Sequence, residues 1–399
     1  MPSPLDQVRL LSPGRLDWEA WKLRRNDPPF SDRTVDFLGA VSSILLRHKE
    51  ARAFPDVATF AFFCRRSNII ALRKAYDSGE RRLGRGVLFH VAPSNVPVNF
   101  AYSLVAGLLS GSRNIVRVSS KPFPQVDIIV DAIERAASAH AEAADRIVLV
   151  RYERESNATD QLSSVCDVRI IWGGDETIAE IRKSPIPARS FDVTFADRYS
   201  LAVIEASAVV GSKDLDRLAM DFYNDTYLFD QNACSAPHLV VWLGSGETIS
   251  TARELFWNRL LPVVRRKYTM RDAAAVRKLE AFCAQAVAMP ARREGTLDNL
   301  LWRVTVKTLE PGVENFRCPE GYFTEYAAKS LEEIAPVVTS KFQTLAYHGL
   351  EKEQLAEFVL SKRLSGIDRI VPIGSSTDFS LTWDGYDLYR TLTRMVAVK

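Results

Sequence analysis

Two adjoining stretches decide the fold, Gly86-Val-Leu-Phe-His-Val91 and Ala92-Pro-Ser-Asn-Val-Pro97. The first is a short apolar run typical of a buried strand, whereas the two prolines of the second are typical of a loop. Residues Phe100 to Leu109 follow as an apolar run that predicts a helix closed by Gly111. A strand, a loop and a core helix in this order indicate a sheet whose faces are covered by helices.

The region from Gly86 to Ser112 carries no formal charge and is long enough to cross a bilayer. Pro93, Asn95 and Pro97 near its middle would be costly in hydrocarbon, because no water is available there for the groups they leave unpaired. We therefore interpret the region as part of a globular core and expect no membrane span.

The alternation of strands and helices continues along the chain. Upstream, Leu16 to Asp77 is charge-rich with short apolar runs and predicts helices on the outside of the main fold. Further strands are predicted at Asn114–Val118, Ile147–Val150, Val168–Trp172, Leu201–Glu205 and Leu239–Leu243, and helices at Val126–Ala143, Glu176–Lys183 and Ser212–Tyr223. From there the chain is predicted mostly helical as far as Ile334 to Val338, and Ile367 to Lys399 is predicted strand-like and rich in turns. The pattern predicts an α/β fold with parallel sheets.

Composition excludes several classes of protein. Of the 399 residues, 47% are hydrophobic and 25% charged, and the net charge is only +3, which argues against partners that are nucleic acids or anionic membranes. The five cysteines are odd in number and widely spaced, so we expect neither a disulfide framework nor a metal cluster. Met1 to Pro13 lacks an apolar segment of the secretory type, and we expect a cytoplasmic protein.

Two residues could carry chemistry. Asn95 is flanked by prolines that fix the backbone, so its amide is either aimed into a cleft or part of a rigid surface loop. Cys234 lies among small residues in Asp230-Gln-Asn-Ala-Cys-Ser-Ala-Pro237, which leaves its thiol open to a substrate carbonyl. Alternatively it is a small buried hydrophobe. We interpret His90 and His238 as ordinary packed or surface residues. Gly84-Arg-Gly86 precedes its strand, so the common dinucleotide fingerprint is absent.

Longer stretches resemble the LuxC-type acyl-CoA reductases of bacterial luminescence operons. The resemblance lies in Pro55-Asp-Val-Ala-Thr-Phe60, in Leu83 to Val105, in Asn114-Ile-Val-Arg-Val-Ser-Ser-Lys121, in Asp230 to Pro237, in Asp368-Arg-Ile-Val-Pro-Ile-Gly374 and in Trp383-Asp-Gly385. It extends over most of the chain in order, weakly from Thr251 to Gly321. That family is similar to aldehyde dehydrogenases, which implies a Rossmann-type parallel-sheet cofactor domain and an α/β catalytic domain.

The resemblance implies roles for individual residues. Cys234 falls on the catalytic cysteine and Asn95 on the conserved asparagine that meets the substrate oxygen. Arg117 to Ser120 falls on a strand end that contacts the cofactor, and Gly173-Gly174 on the turn beside its pyrophosphate. Glu333 falls on a glutamate that holds the nicotinamide ribose. The cofactor-binding residues are therefore predicted to be Pro93, Ser94, Arg117, Ser119, Ser120, Lys121, Gly173, Gly174 and Glu333.

Two departures from the superfamily are informative. The glutamate that activates water would fall near Thr194, where no carboxylate stands, although Asp197 is close enough to be a displaced substitute. A missing base favours thioester reduction over oxidation to an acid. An acidic residue that would repel a 2′-phosphate is also missing, because Ser119-Ser120-Lys121 stands at that strand end with Arg117 nearby. Hydroxyls and cations suit a phosphate, so the expected cofactor is NADPH.

The expected function is reduction of an acyl thioester to the aldehyde through a Cys234 acyl-enzyme. The donor is acyl-CoA or an acylated partner such as an acyl-protein synthetase or a carrier protein, and we expect a homo-oligomer. The alternatives are an acylating aldehyde dehydrogenase that runs toward acyl-CoA, and a non-catalytic acyl-binding partner of a biosynthetic complex. The predicted domains are residues 1–80, helical and packed on the cofactor domain; 81–205, nucleotide-binding; 206–347, with the catalytic cysteine; and 348–399, a C-terminal return and oligomerisation segment.

Overall fold

A computed structural model describes residues 8–153, 156–295 and 298–398. The chain divides into two compact units. Unit 1 comprises Met1–Ala196 together with Phe379–Lys399, and unit 2 comprises Asp197–Asp378. Among the described helices, none combines the length and the apolar character that crossing a membrane requires.

Unit 1 begins with a strand and four helices that precede the main sheet. These elements are β1 (Arg9–Ser12), α1 (Trp18–Lys22), α2 (Asp32–Arg47), α3 (Pro55–Phe63) and α4 (Arg66–Ala75). Their apolar faces are buried; in α2, for example, Val35, Leu38 and Val41 are almost fully inaccessible. Asp27, between α1 and α2, forms a buried ion pair with Arg146 at 3.1 Å. The N-terminal helices are therefore an integral part of unit 1.

The sheet of unit 1 is built by alternating strands and helices. Its elements are β2 (Arg82–Gly84), β3 (Val87–Val91), α5 (Asn99–Leu109), β4 (Arg113–Arg117), α6 (Pro124–Ala137), α7 (Ala141–Ala144), β5 (Ile147–Arg151), α8 (Ala158–Ser163), β6 (Val168–Trp172), α9 (Asp175–Ile181) and β7 (Phe191–Phe195). The six-stranded order is β1-β5-β4-β3-β6-β7, and only β1 is antiparallel. All five residues of β3 are buried, as expected for a central parallel strand.

Unit 2 contains a second, seven-stranded sheet. Its elements are β8 (Tyr199–Glu205), α10 (Ala206–Val210), α11 (Leu215–Thr226), β9 (Pro237–Leu243), α12 (Gly246–Lys267), α13 (Ala273–Ala288), β10 (Ala291–Glu294), β11 (Trp302–Val306), β12 (Tyr322–Ala328), β13 (Phe342–His348), α14 (Lys352–Ser361) and β14 (Arg369–Pro372). The order is β10-β11-β12-β9-β8-β13-β14, with β10 antiparallel at one edge. Side chains of β9 alternate between two apolar clusters: Val240 and Trp242 enter one, and Leu239 and Val241 enter the other.

The last segment of the chain returns to unit 1. It contains β15 (Thr382–Trp383), β16 (Tyr386–Asp387), α15 (Leu388–Leu392) and β17 (Thr393–Met395). Strand β17 pairs antiparallel with β2, so that Thr393 lies opposite Gly84. Phe379 contacts the rings of Phe63, Tyr102 and Trp383, which anchors the segment to unit 1.

The predicted α/β class is confirmed, and strands lie where they were predicted from β3 to β6 and at β8 and β9. The prediction of a mostly helical region after β9 was wrong, because β10, β11 and β12 lie within it. In β11, Trp302, Val304 and Val306 are buried while the residues between them are only partly so. That alternation is a strand signal. The predicted helix Val126–Ala143 is two helices, α6 and α7.

The predicted domain limits also differ from the observed units. Strand β8 pairs with β9 and β13, so the division falls at Ala196–Asp197 instead of after Glu205. The predicted C-terminal segment 348–399 is divided between the units, because β14 pairs with β13 while Phe379–Lys399 belongs to unit 1. Strand pairing over long sequence distances set both limits, and the local pattern carries no information about it.

Candidate active site

The Cys234 thiol lies in a short connection between α11 and β9, the cysteine loop (residues 230–236). Asp230 and Gln231 have φ values of 52° and 58°, two successive left-handed residues that reverse the chain. Such conformations are uncommon outside glycine, so surrounding contacts must hold them. The backbone N–H of Gln231 donates to the Thr226 carbonyl at 2.7 Å, and the backbone N–H of Asn232 donates to the Phe229 carbonyl at 2.8 Å. The loop is therefore a turn whose conformation is fixed by backbone hydrogen bonds.

The side chain of Gln231 fastens this loop to the sheet. It is 1% exposed, and its Nε2 donates to the carbonyls of Pro237 and Tyr322 at 2.9 and 3.1 Å. Its Oε1 accepts from the N–H groups of Gly321 and Tyr322 at 2.8 and 3.2 Å. Both donors and both acceptor positions of the amide are satisfied, so one side chain joins the loop to the beginnings of β9 and β12.

A second contact holds the backbone of the cysteine itself. Ser200, at the start of β8, donates its hydroxyl to the Cys234 carbonyl at 2.7 Å and accepts from the Thr344 N–H of β13 at 3.1 Å. Ser200 is fully buried. Cys234 is thus fixed at the amino edge of the unit 2 sheet, where β8 and β9 begin.

The cysteines differ in how accessible their thiols are. Cys64, Cys166 and Cys318 are buried, and burial raises the pKa of each thiol, that of Cys166 to about 12. Such groups stay protonated at neutral pH and make poor nucleophiles. Cys283 is exposed on the helix α13, and Cys234 is partly exposed. Of these two accessible thiols, Cys234 is the one that lies in a turn held by the buried side chains of Gln231 and Ser200.

His90 and His238, predicted to be ordinary packed or surface residues, are both buried. His238 lies in β9, stacked on the ring of Tyr199 at 5.7 Å, and burial together with the charge of Arg317 lowers its pKa to about 3. His90 lies in β3, bonded to Ser103 and Asn114 at 2.7 and 3.1 Å, and burial lowers its pKa to about 4. Both lowered pKa values favour the neutral ring at physiological pH.

In unit 1, Asn95 lies in the loop that follows β3. Asn95 and Ser94 are exposed, and Pro93 is half-buried. The Ala92 N–H donates to the Arg117 carbonyl at 3.2 Å, which places this loop directly beside the end of β4. Both strands end at the carboxyl edge of a parallel sheet, where open α/β sheets bind ligands.

Cations gather at the end of β4. The Arg117 guanidinium lies 4.6 Å from the ring centre of Tyr152, a cation–π contact that fixes its plane. Lys121 is exposed, and its backbone N–H donates to the Ser119 hydroxyl at 3.2 Å. Arg117, Ser119, Ser120 and Lys121 therefore offer positive charge and hydroxyls next to the Asn95 loop, which fits a phosphate group.

Gly173 and Gly174 follow β6, the neighbour of β3 on its other side. A Cβ at Gly174 would have no atom within 4 Å, so the backbone there is open to a ligand. The helix α9 that follows begins with Asp175 and Glu176. Two carboxylates in a first turn oppose an anion at that place. The glycines can thus allow close approach of a cofactor, whereas the charge that suits its phosphates lies at β4.

Glu333 lies far from the cysteine within unit 2. Its carboxylate accepts from the Tyr326 hydroxyl at 2.6 Å and the Lys329 N–H at 2.8 Å, and the Tyr326 hydroxyl lowers its pKa. These contacts place it at the carboxyl end of β12, whereas Cys234 precedes the amino end of β9, which is parallel to β12. Seven residues of strand separate the two edges, about 20 Å. The topology therefore speaks against Glu333 as a residue that acts beside Cys234.

Thr194 and Asp197 are the residues at which a water-activating carboxylate was considered. Thr194 lies in β7 of unit 1, and Asp197 begins unit 2, where its carboxylate pairs with Arg317. Arg317 also donates to the Arg198 carbonyl at 2.6 Å. Across the described ranges no three His, Cys, Asp or Glu side chains gather to hold a metal.

Several residues of the site were not predicted from the sequence. Gln231 and Arg369 lie in stretches that carry the family resemblance, but neither was predicted to have a role. Ser200 and Asp225 were not predicted to belong to the site. Arg369 is half-buried at the start of β14; burial lowers the pKa of its guanidinium, and the charges of Asp378, Cys234 and Asp225 act in the opposite direction. No local signal marks such residues, because their contacts join distant parts of the chain.

Comparison with solved structures defines the class of the fold. NAD-bound 1-pyrroline-5-carboxylate dehydrogenase from Thermus matches with a TM-score of 0.62 at 16% identity, over 95% of this chain and 82% of that one. NADP-dependent glyceraldehyde-3-phosphate dehydrogenase from Bacillus halodurans C-125 matches with a TM-score of 0.60, 16% identity, and coverage of 95% and 87%. The fold is that of the aldehyde dehydrogenases, as the resemblance implied.

The family follows from the sequence comparisons. Residues 65–398 match the family described as acyl-CoA reductase (LuxC), and the chain belongs to that family. The long-chain acyl-protein thioester reductase of Aliivibrio fischeri is 23% identical over 301 residues, which are 74% of this chain and 60% of that protein. The protein of the same name from Vibrio harveyi is 22% identical over 326 residues, with coverage of 79% and 64%. The matches thus span less than two thirds of these relatives.

The role of the Gln231 amide in holding the cysteine loop can be tested by Gln231→Leu. The substitution keeps the volume approximately but leaves buried N–H groups of Gly321 and Tyr322 without their acceptor, and an unsatisfied buried group costs about 1–3 kcal/mol. We expect unfolding at lower urea concentration and a changed rate of alkylation at Cys234, read by mass spectrometry. Asn232→Leu, at an exposed neighbouring amide, is the matched control and should change stability by less than about 0.5 kcal/mol. Equal effects of the two changes would contradict the role of Gln231.

Proposed function

We propose that this protein reduces an acyl thioester to the corresponding aldehyde, with Cys234 as the nucleophile and NADPH as the hydride donor. The observation that carries the proposal is the partly exposed Cys234 in a turn held by Gln231 and Ser200, in a chain of the acyl-CoA reductase family. The family and the fold support an oxidoreductase that acts on acyl or aldehyde groups. The identity of nucleophile, cofactor and substrate is the proposal.

The first step is transfer of the acyl group to the protein. The Cys234 thiolate attacks the carbonyl carbon, a C–S bond forms, and the carbon–sulfur bond of the donor breaks. The donor leaves as a thiol after it takes up a proton from solvent. The fixed backbone of Cys234 orients the sulfur, because Ser200 and Gln231 leave the loop little freedom.

The second step is reduction of the bound acyl group. A nicotinamide cofactor, when bound, supplies the hydride. The reduced carbon remains attached to Cys234 as a thiohemiacetal, which collapses to free aldehyde and the cysteine. Thr194 in place of a glutamate, and the pairing of Asp197 with Arg317, favour this outcome over hydrolysis of the acyl-enzyme.

The residues that would hold the cofactor are those at the carboxyl edge of the unit 1 sheet. Arg117, Ser119, Ser120 and Lys121 supply cations and hydroxyls for a 2′-phosphate, while Pro93, Ser94, Gly173 and Gly174 supply backbone that a ligand can approach. Glu333 is left out of the proposal because it lies at the other edge of its sheet from Cys234. The proposed preference for NADPH over NADH rests on the charge at β4.

The donor is an acyl thioester of CoA or of a protein. Relatives from Aliivibrio fischeri and Vibrio harveyi are named long-chain acyl-protein thioester reductases, which supports an acylated protein as one donor. The N-terminal helices α1 to α4 of unit 1 are our candidate for part of a docking surface for such a partner or for self-association.

The nucleophile is tested by acylation with radiolabelled acyl-CoA without cofactor. The native protein should retain one label on the peptide that contains Cys234, and Cys234→Ala should retain none, because the acceptor sulfur is gone. Cys283→Ala, which removes the exposed thiol of α13, is the control and should label normally. Label on Cys234→Ala would show that another residue is the nucleophile, and an unlabelled native protein would favour a different donor or a non-catalytic role.

The role of Asn95 follows from its proline-flanked loop and the resemblance. Asn95→Ala should lower kcat on the order of a hundredfold, because an amide that donates to the developing oxyanion acts in the transition state. Asn95→Asp is the discriminating variant: it keeps the size of the side chain but removes the donor, so it should be as slow as Asn95→Ala. Normal turnover of Asn95→Asp would make Asn95 a structural loop residue.

The cofactor preference is tested by kcat/KM with NADPH and with NADH. The native protein should prefer NADPH, and Lys121→Glu or Arg117→Glu should narrow the preference, because a carboxylate repels the 2′-phosphate and not the 2′-hydroxyl. Lys49→Glu, an exposed lysine elsewhere in unit 1, is the charge-matched control and should leave the ratio unchanged. Equal use of both cofactors by the native protein would exclude this part of the proposal.

A further inference from the structure

The amino edge of the unit 2 sheet brings a guanidinium into the neighbourhood of Cys234. Arg369 is the first residue of β14, and its partner in the parallel register is Thr344 of β13. The Thr344 N–H donates to the Ser200 hydroxyl, and that hydroxyl donates to the Cys234 carbonyl, at 3.1 and 2.7 Å. One register pair and two hydrogen bonds therefore connect the backbone at Arg369 to that at Cys234 through β13 and β8.

The guanidinium of Arg369 is held in one orientation by neutral acceptors. It donates from Nη1 to the Ser376 carbonyl at 2.5 Å and from Nη2 to the carbonyls of Ser375 and Asp378 at 3.0 and 2.5 Å. Carbonyl oxygens orient the planar fork without removing its charge. The charge therefore stays on a group whose position is fixed by the loop of residues 374–378.

That loop is itself anchored by a buried carboxylate. Asp225, near the end of α11, is 1% exposed and accepts from the N–H groups of Gly374 and Ser376 at 2.7 and 2.9 Å. Gly374 has a φ of 101°, and a Cβ there would lie 2.8 Å from Cβ of Asp221, so only glycine fits. The same helix that anchors the loop leads directly into the cysteine loop through the turn Tyr227–Phe229. Helix α11 thus sets both the position of Arg369 and the start of the loop that carries Cys234.

We propose that Arg369 is a positioning residue for the nucleophile: its anchored guanidinium stabilises the Cys234 thiolate after the thiol has lost its proton to solvent. The role deepens the proposed function and rests on Cys234 as its nucleophile. A positive charge close to a thiol favours the ionised form, which is the reactive one. Neutral His238 cannot supply that charge, so the fold supplies it from β14.

The electrostatic interaction between the two groups is consistent with this role. Burial lowers the pKa of Arg369, while the charges of Asp378, Cys234 and Asp225 raise it. Attraction is mutual, so the group that is held in its charged form by a thiolate also holds the thiolate. Other ionisable groups at this edge and their surroundings are Arg198 paired with Asp368, Arg317 paired with Asp197, and neutral His238.

The test is the pH dependence of alkylation at Cys234 in the full-length protein, without substrate or cofactor. Iodoacetamide is added at a series of pH values, and the rate at Cys234 is read by peptide mass spectrometry, with Cys283 as an internal reference. In Arg369→Gln the midpoint of the Cys234 profile should move up by about one pH unit or more, the size expected on loss of a nearby opposite charge. Below the native midpoint the rate should fall about tenfold or more. The Cys283 profile should not move.

Two further variants keep the test decisive. Arg292→Gln removes a surface guanidinium from β10 and should leave the Cys234 profile in place. Arg369→Lys keeps a positive charge but cannot donate to all three carbonyls in the geometry of a guanidinium. The pH midpoint of Cys234 alkylation should therefore rise by less than it does in Arg369→Gln. If Arg369→Gln does not fold, Arg369→Lys is the variant that tests the proposal. A purely structural Arg369 would lower the urea midpoint of unfolding and leave the pH profile at its native position, and that result would overturn the proposal.

The outcome is separate from that of the acylation experiment. Alkylation needs neither an acyl donor nor a cofactor. If Cys234→Ala still retains the acyl label while Arg369→Gln shifts the alkylation profile of Cys234, Cys234 is refuted as the acyl acceptor and the role of Arg369 is supported. An unshifted alkylation profile in Arg369→Gln, together with acylation of the native protein at Cys234, would support Cys234 as the acyl acceptor and refute the role of Arg369.

Discussion

The buried side-chain amide of Gln231 is the constraint on which the candidate site depends. It uses every hydrogen-bonding position it has on four backbone groups, at the starts of β9 and β12. Buried backbone groups need hydrogen-bond partners, so the side chain of Gln231 stabilises the turn and the two strand starts together. The left-handed backbone conformations of Asp230 and Gln231 are unfavourable, and the hydrogen bonds of the Gln231 side chain offset their free-energy cost. These contacts fix the position of Cys234.

The strand edges explain how each unit presents chemically useful groups. In unit 1 the loops after β3, β4 and β6 lie at the carboxyl edge, where a change of strand order opens a crevice for a ligand. In unit 2 the cysteine lies at the amino edge, beside the first residues of β8, β13 and β14. There the backbone N–H and hydroxyl of successive strands form a chain of hydrogen bonds, and the arginine of β14 lies at its end.

The electrostatics of the cysteine environment differ from those of a cysteine–histidine pair. His238, the nearest histidine in sequence, is kept neutral by burial and by the charge of Arg317. In the role that we propose, the guanidinium of Arg369 stabilises the Cys234 thiolate in place of an imidazolium. The proposed acyl-enzyme would have to persist in this environment until it is reduced.

The sequence by itself determined the α/β class, the positions of β3 to β6, β8 and β9, and the family resemblance that singled out Cys234 and Asn95, because apolar periodicity and short motifs are local properties of the chain. It missed β10 to β12, although the alternating side chains of β11 carried a signal, and it misplaced the boundary at Ala196, which depends on the pairing of β8 with β9 and β13. Only the tertiary structure decided that Glu333 and Cys234 lie at opposite edges of one sheet, and that Gln231, Ser200, Asp225 and Arg369 converge on the cysteine. Those residues are separated by up to 169 positions in sequence between Ser200 and Arg369, and long-range strand register, which no local pattern encodes, is what brings them together.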